Sequence, residues 1–187
     1  MNKIEEAIIF ALQCHEGQKR KLVNIPYILH PMEVCSIITN ITADPDVIIA
    51  GLLHDTIEDC GVSPKEIREK FGRRVAAIVQ SESEDKYSTL DPKDTWVQRK
   101  EESLLVLKMT EEIGVKILWL ADKLANLRSF YRSYLKQGDD IWLQLNQKDK
   151  TKHHWYYQTA LNYIVELQYL PEYKEAQDLI NKLFVGE

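Results

Sequence analysis

At 187 residues the chain suits one domain with a sizeable core, and 44% hydrophobic with 28% charged residues is an ordinary globular composition. A net charge of −5 argues against a general nucleic-acid or anionic-membrane surface, and no apolar run approaches the roughly 18 residues of a membrane span. Cys14, Cys35 and Cys60 are odd in number and form no Cys-x-x-Cys pair, and the N-terminus has early acids and no signal-type apolar core. Together these read as reduced thiols in a cytoplasmic protein.

Residues from about Lys3 to His15 place Ile4, Ala7, Ile8, Ala11 and Leu12 at helical spacing, and Gly17 is a natural stop. The cationic loop Gln18-Lys19-Arg20-Lys21 leads to Pro26. His30-Pro31 falls at the start of a second helix, because proline suits the first helical turn, and this helix turns Val34, Ile37 and Ile38 inward. Asp44-Pro45 opens a third by the same cap-then-proline logic. Its apolar run ends in His54-Asp55-Thr56-Ile57-Glu58-Asp59. Were the helix to continue, His54 would sit over Glu58 and Asp55 over Asp59, since side chains four apart share a face. Such a cluster of ionisable groups behind an apolar run is costly to bury unless it binds something.

Ser63-Pro64-Lys65-Glu66 reads as a capping box, followed by an apolar stripe of Val75, Ile78 and Val79. Ser81 to Leu90 has no apolar periodicity and reads as an acidic loop near the site. Asp91-Pro92 is expected to start a helix reaching about Met109. It carries Trp96, Arg99 and Lys100, whose cations suit either phosphate contact or an exposed face. Gly114 is expected to separate this helix from the next, Val115 to Tyr134, which is apolar almost all round at its start and belongs in the middle of the fold. Asp122 and Asn126, four apart, share one of its faces. Helical patterns over about Lys150–Leu167 and Pro171–Phe184 finish the chain, with Trp155 and its neighbours read as core and His153 and His154 at solvent or the pocket border. No alternating strand, repeat or interdomain linker stands out. The expected architecture is all-α, a single domain over residues 1–187 built as a compact multi-helix bundle.

His30, His54, Asp55 and Asp122 are the candidate metal ligands. Two imidazoles with two carboxylates make a mixed nitrogen–oxygen set that suits Mn²⁺, Fe²⁺, Co²⁺ or Zn²⁺ better than Ca²⁺ or Mg²⁺. Such an ion lowers the pKa of bound water and supplies a nucleophile near neutral pH. Taken singly, each residue also has an ordinary structural reading: His30 as a helix cap, Asp122 as a partner of a nearby cation.

The motifs in combination resemble the HD-domain phosphohydrolases, in particular the hydrolase domain of RelA/SpoT-type alarmone enzymes and the small stand-alone alarmone hydrolases. The stretches that carry the resemblance are His15-Glu16-Gly17-Gln18-Lys19-Arg20-Lys21, Pro26-Tyr27-Ile28-Leu29-His30-Pro31, Leu52 to Asp59, Phe71-Gly72, and Leu120 to Arg128, in the family's order over about residues 4–132. The closing helices of about 138–187 carry no functional motif. The resemblance implies that His30, His54, Asp55 and Asp122 hold one divalent metal, usually manganese. It also implies that Glu58 and Asp59 handle the protons of the attacking water, that Arg20 and Lys21 approach the nucleotide, and that Asn126 lies near the ribose or 3′ phosphate. The reaction it implies is release of pyrophosphate from the 3′ position of (p)ppGpp, a small-molecule nucleotide, with no nucleic-acid or membrane partner.

The alternatives are an HD phosphohydrolase acting on another nucleotide or phosphometabolite such as NADPH, and a non-catalytic module that binds alarmone. The metal set and the Glu58-Asp59 pair favour an enzyme. Synthetase activity is not expected, since the chain ends before a second catalytic domain.

Overall fold

A computed structural model describes residues 1–84, 91 and 94–186. Along them run α1 (Lys3–Cys14), α2 (Leu29–Ile41), α3 (Pro45–Leu53), α4 (Thr56–Cys60), α5 (Pro64–Phe71), α6 (Arg73–Glu82), α7 (Trp96–Met109), α8 (Ile113–Gln137), α9 (Lys150–Tyr163) and α10 (Pro171–Ile180). Short 3-10 segments cover Gly138–Gln144 and Val165–Leu167, and a π-type turn covers Asn181–Val185. Among the described residues the only β pairing is one isolated bridge, Lys19 to Pro26.

Two helices are apolar on almost every side, and both lie at the centre. Every residue of α3 from Val47 to Leu53 is buried. In α8 the run from Ile117 to Ala125 is buried without interruption, including the charged Asp122 and Lys123. α8 packs on α2, α3, α6, α9 and α10, while α3 packs on α1, α2 and α6, so a helix with no polar face is surrounded as its composition requires. Gly51 sets one of these approaches. A Cβ there would stand 2.4 Å from Ile38 Cδ1, so any larger residue at this approach of α3 to α2 would force the Ile38 side chain to shift. Arg74 joins the starts of α3 and α8 through Asp44 Oδ2 at 2.6 Å and Glu112 Oε1 at 3.1 Å.

Helix boundaries follow local chemistry. Asn2 and Glu5 form a reciprocal capping box at α1, each backbone N–H donating to the other's side chain at 2.9 Å. At α5 the Ser63 hydroxyl accepts from Glu66 N at 3.1 Å. Gly114 does not separate α7 from α8. It lies inside the first turn of α8, where a Cβ would meet Val47 Cγ2 at 2.9 Å, and the break falls instead at Thr110 to Glu112. The helix expected from Asp91-Pro92 starts at Trp96, and the acidic stretch from Asp85 to Leu90, with Pro92 and Lys93, lies outside the described residues.

α1 buries Ala7 and Ala11 but leaves Ile8 and Leu12 exposed, because the small residues are those that face α3. Trp155, read as core, lies towards solvent, while Tyr156 and Tyr157 fill the interior. His153 is buried between the rings of Trp96, Phe130 and Trp142, and His154 stacks on Phe184.

Candidate metal centre and nucleotide cleft

The third helix does not run through the His54-Asp55 pair. It ends at Leu53, whose carbonyl accepts from the Thr56 hydroxyl at 2.6 Å, and α4 begins at Thr56. A threonine side chain that bonds back to the preceding turn competes with the helix's own ladder. His54 and Asp55 therefore sit in the junction between α3 and α4, and the simple stacking of His54 over Glu58 within one helix is not formed. His30 lies in the first turn of α2 and Asp122 at mid-length in α8.

These four residues meet. The ligating atoms of His30, His54 and Asp122 all lie within 4.8 Å of one another. His30 Nε2 is 3.0 Å from Asp122 Oδ1 and 3.3 Å from His54 Nε2. Asp55 is not in that group of three but touches both imidazoles, its Oδ2 3.0 Å from His54 Nε2 and 3.6 Å from His30 Nε2.

Protonation chemistry tests whether a cation fits. The Gly51 carbonyl can only accept, so His54 Nδ1, 2.9 Å away, carries a proton and a neutral ring turns the bare lone pair of Nε2 into the pocket. That lone pair faces a second imidazole nitrogen and two carboxylates, an arrangement that needs a positive centre. Burial would lower the pKa of His54, but Asp55 and Asp122 outweigh it and hold the ring well above the usual histidine range. Burial lowers His30 despite Asp122. Asp55 and Asp122 are both held below the usual carboxylate range against the cost of burial, Asp55 chiefly by His54 and Asp122 chiefly by Lys123 and the two imidazoles. Two nitrogen and two anionic oxygen donors converging in a buried pocket fit a divalent transition metal.

A wider cleft of about 370 Å³ opens from this pocket. Arg20, Tyr27, Glu58, Asp59 and Asn126 line both spaces, whereas Lys21 borders only the outer cleft with Phe130, Leu145 and Asn146. The loop between α1 and α2 is held by Arg20 N to Ile25 O at 3.0 Å and Tyr27 N to Gln18 O at 2.9 Å, which turns Arg20 towards α8. Arg20 Nη2 donates to Asn126 Oδ1 at 2.8 Å, and Asn126 Nδ2 donates to Asp122 Oδ1 at 2.8 Å. Burial, with Glu84 and Asp55 adding, pushes the Glu58 carboxyl up to about 7.

Several residues of the site carry no expected role from sequence. Glu82 ends the stripe of Val75, Ile78 and Val79 on α6 and is buried, with Oε1 3.0 Å from Lys123 Nζ. Lys123 also reaches Asp122 Oδ2 at 2.6 Å. Glu84, read as part of an acidic loop near the site, has its side chain enclosed between Arg99 Nη1 at 2.7 Å and Lys100 Nζ at 2.5 Å. Arg99 and Lys100 thus face the cleft wall rather than open solvent. The signal was present: Trp96, Lys100, Ser103 and Leu107 recur at helical spacing, and a charge on an apolar stripe marks an inward-facing polar group.

Similarity to known proteins agrees with this geometry. A family model described as HD domain matches residues 7–151. The chain belongs to the HD domain family. Among HD-domain relatives, it is 35% identical over 127 residues to guanosine-3′,5′-bis(diphosphate) 3′-pyrophosphohydrolase of Vibrio cholerae, covering 67% of this chain and 18% of that protein. The protein of the same name from Aquifex aeolicus is 37% identical over 129 residues, covering 69% and 18%. The putative GTP diphosphokinase RSH1, chloroplastic, of Oryza sativa is 39% identical over 136 residues, covering 69% and 15%. The match thus spans less than a fifth of the length of these curated relatives.

Among solved structures, the HD chain superposes at TM-score 0.74 on the one titled "A metazoan ortholog of SpoT hydrolyzes ppGpp and plays a role in starvation responses". The identity is 23%, with 97% of this chain and 95% of that one covered, and the likeness is one of fold. The structure of lmo0812 from Listeria monocytogenes EGD-e superposes at TM-score 0.72 with 29% identity, covering 83% of this chain and 99% of that one. No described helix is long and apolar enough to cross a membrane.

Proposed function

We propose that the protein is a metal-dependent guanosine 3′,5′-bis(diphosphate) 3′-pyrophosphohydrolase, a cytoplasmic enzyme of one domain whose metal is Mn²⁺. The observation that carries this reading is the run Arg20–Asn126–Asp122, in which the cation bordering the cleft is hydrogen-bonded through one amide to a carboxylate of the metal pocket. A phosphorylated substrate bound by Arg20 is thereby registered against the metal centre. The family match runs from residue 7 to 151 and so includes all four candidate ligands, and the two relatives named for this hydrolysis are 35% and 37% identical to the chain.

His30, His54, Asp55 and Asp122 would hold the cation, which supplies Lewis acidity and makes hydroxide available near neutral pH. Glu58 borders both spaces with a carboxyl raised to about 7, which lets it take a proton from an attacking water and return one to a leaving group at physiological pH. Arg20 and Lys21 offset the charge of the polyphosphate, and Arg20 also lies 5.6 Å from the Tyr27 ring centre. Asp59 stands beside Glu58 at the junction, and Asn126 holds Arg20 in place. Water adds across the 3′ phosphoester, giving GDP and pyrophosphate from ppGpp.

The test is to follow GDP and pyrophosphate after metal-stripped protein meets ppGpp with and without Mn²⁺. Release that needs the metal and is lost in His54→Ala and Glu58→Ala supports the assignment. A folded, Mn²⁺-loaded protein that binds ppGpp without turnover would make it a sensing module. Turnover of NADPH or another nucleotide in its place would move the substrate.

A further inference from the structure

Of the four carboxylate and imidazole groups in the metal pocket, one is less enclosed than the rest. The side chain of Asp55 is 18% exposed, against 3% for His30, 1% for His54 and 8% for Asp122. Packing therefore does less to fix Asp55. Asp122 is also anchored by two donors outside the ligand set, Lys123 Nζ and Asn126 Nδ2, and His54 by the Gly51 carbonyl. Among the described residues Asp55 has one such anchor: the Tyr27 hydroxyl donates to Asp55 Oδ2 at 2.7 Å. That oxygen is the one turned towards both imidazoles.

The Tyr27 ring is itself held. His15 lies 4.9 Å away, ring to ring, the Arg20 guanidinium sits 5.6 Å from its centre, and the edge of His30 comes within 5.8 Å between centroids. His15 is buried and ties this corner to α4 through Gln18, whose Nε2 donates to Asp59 O at 3.0 Å. A phenol has an ordinary pKa of about 10, so near neutral pH it keeps its proton and donates to the carboxylate.

We infer that Tyr27 is a positioning residue of the metal centre, its hydroxyl fixing the rotamer of Asp55 so that Oδ2 faces the point shared with His30 and His54. It acts on the metal through Asp55 and is not itself one of the ligands. A ligand so oriented binds a metal about 10- to 100-fold more tightly than one left free to rotate. The inference rests on the metal-binding part of the proposed function and is independent of the substrate.

The experiment is calorimetric titration of the metal-stripped protein with Mn²⁺, with the EPR spectrum of the bound ion as a second readout. Tyr27→Phe keeps the ring against His15 and Arg20 and removes one oxygen, and circular dichroism checks that it folds. Its dissociation constant for Mn²⁺ is expected to rise about 10- to 100-fold. In an Asp55→Asn background, where the carboxylate is already gone, the same change is expected to alter affinity by less than about twofold, because the two residues act as a unit. A folded Tyr27→Phe protein with unchanged affinity would overturn the inference, as would an equal loss in the Asp55→Asn background. Wild-type protein that takes up no Mn²⁺ would instead overturn the metal reading itself.

Discussion

Arg20 and Asn126, 106 positions apart in the chain, meet at 2.8 Å at the junction of the two spaces that make up the site. The guanidinium would otherwise swing freely on a surface loop, and the amide fixes it at the boundary between metal pocket and cleft. Asn126→Ala is therefore expected to lower kcat/KM by about 10- to 100-fold, the size of a lost hydrogen bond to a charged group. Arg20→Ala should do at least as much. The double variant should be little worse than Arg20→Ala alone, because the amide acts largely through the cation. Additive losses in steady-state kinetics would show that each touches substrate separately.

Glu58 sets a dependence on pH. Its carboxyl rises from the usual 4.5 to about 7 on folding, so the folded protein holds the proton more tightly than the unfolded chain. The stability this group contributes is complete below pH 4.5 and is lost as the pH rises towards 7. Glu58→Gln cannot ionise. In metal-free protein it is expected to match wild type near pH 4 and to exceed it at pH 8 by about 2–3 kcal/mol in urea denaturation. The same variant should lose about 10²- to 10⁴-fold in turnover if Glu58 moves the proton.

Lys123 neutralises two buried carboxylates at once, Asp122 and Glu82. Lys123→Met removes the cation they share and is expected to cost about 3–5 kcal/mol by chemical denaturation. Adding Glu82→Leu removes one of the two carboxylates and should recover part of that loss. A double variant less stable than Lys123→Met would contradict this account.

Gly51→Ala tests the approach of α2 to α3. The added methyl overlaps Ile38 Cδ1 at 2.4 Å in a fully buried part of the core. Overpacking of this kind costs about 1–3 kcal/mol. The helices it pushes apart carry His30 and precede His54, so Mn²⁺ affinity should fall with stability. Unchanged affinity in a destabilised protein would mean that the strain relaxes away from the pocket.

Much of this was legible in the residues, and the exceptions have physical causes. The central places of α3 and of the first half of α8 follow from their apolar runs, and of the four expected ligands His30, His54 and Asp122 lie within 4.8 Å of one another, with Asp55 against both imidazoles. The break at Thr56 was not, because a side chain bonding to Leu53 O leaves no trace in hydrophobic period. Gly114 looked like punctuation because glycine is rare inside helices, yet it serves a close contact with Val47 that only tertiary structure shows. Glu82 and Glu84 were read only as part of an acidic loop near the site because their neighbours are polar, and their partners Lys123, Arg99 and Lys100 lie in other helices. Trp155 was misplaced because three consecutive aromatics cannot all face inward, and Tyr156 and Tyr157 take the interior positions.

The four candidate ligands come from the first turn of α2, the α3–α4 junction and the middle of α8, separated by 24 positions from His30 to His54 and by 67 from Asp55 to Asp122. An unfolded chain cannot gather them, so a metal would bind the native state alone and raise its melting temperature by mass action, worth about 2.7 kcal/mol at a hundredfold excess over Kd. Heat denaturation thus becomes a gauge of metal preference. Manganese, iron, cobalt and zinc can be ranked by how far each shifts the melting curve, in a sample that need never see a substrate.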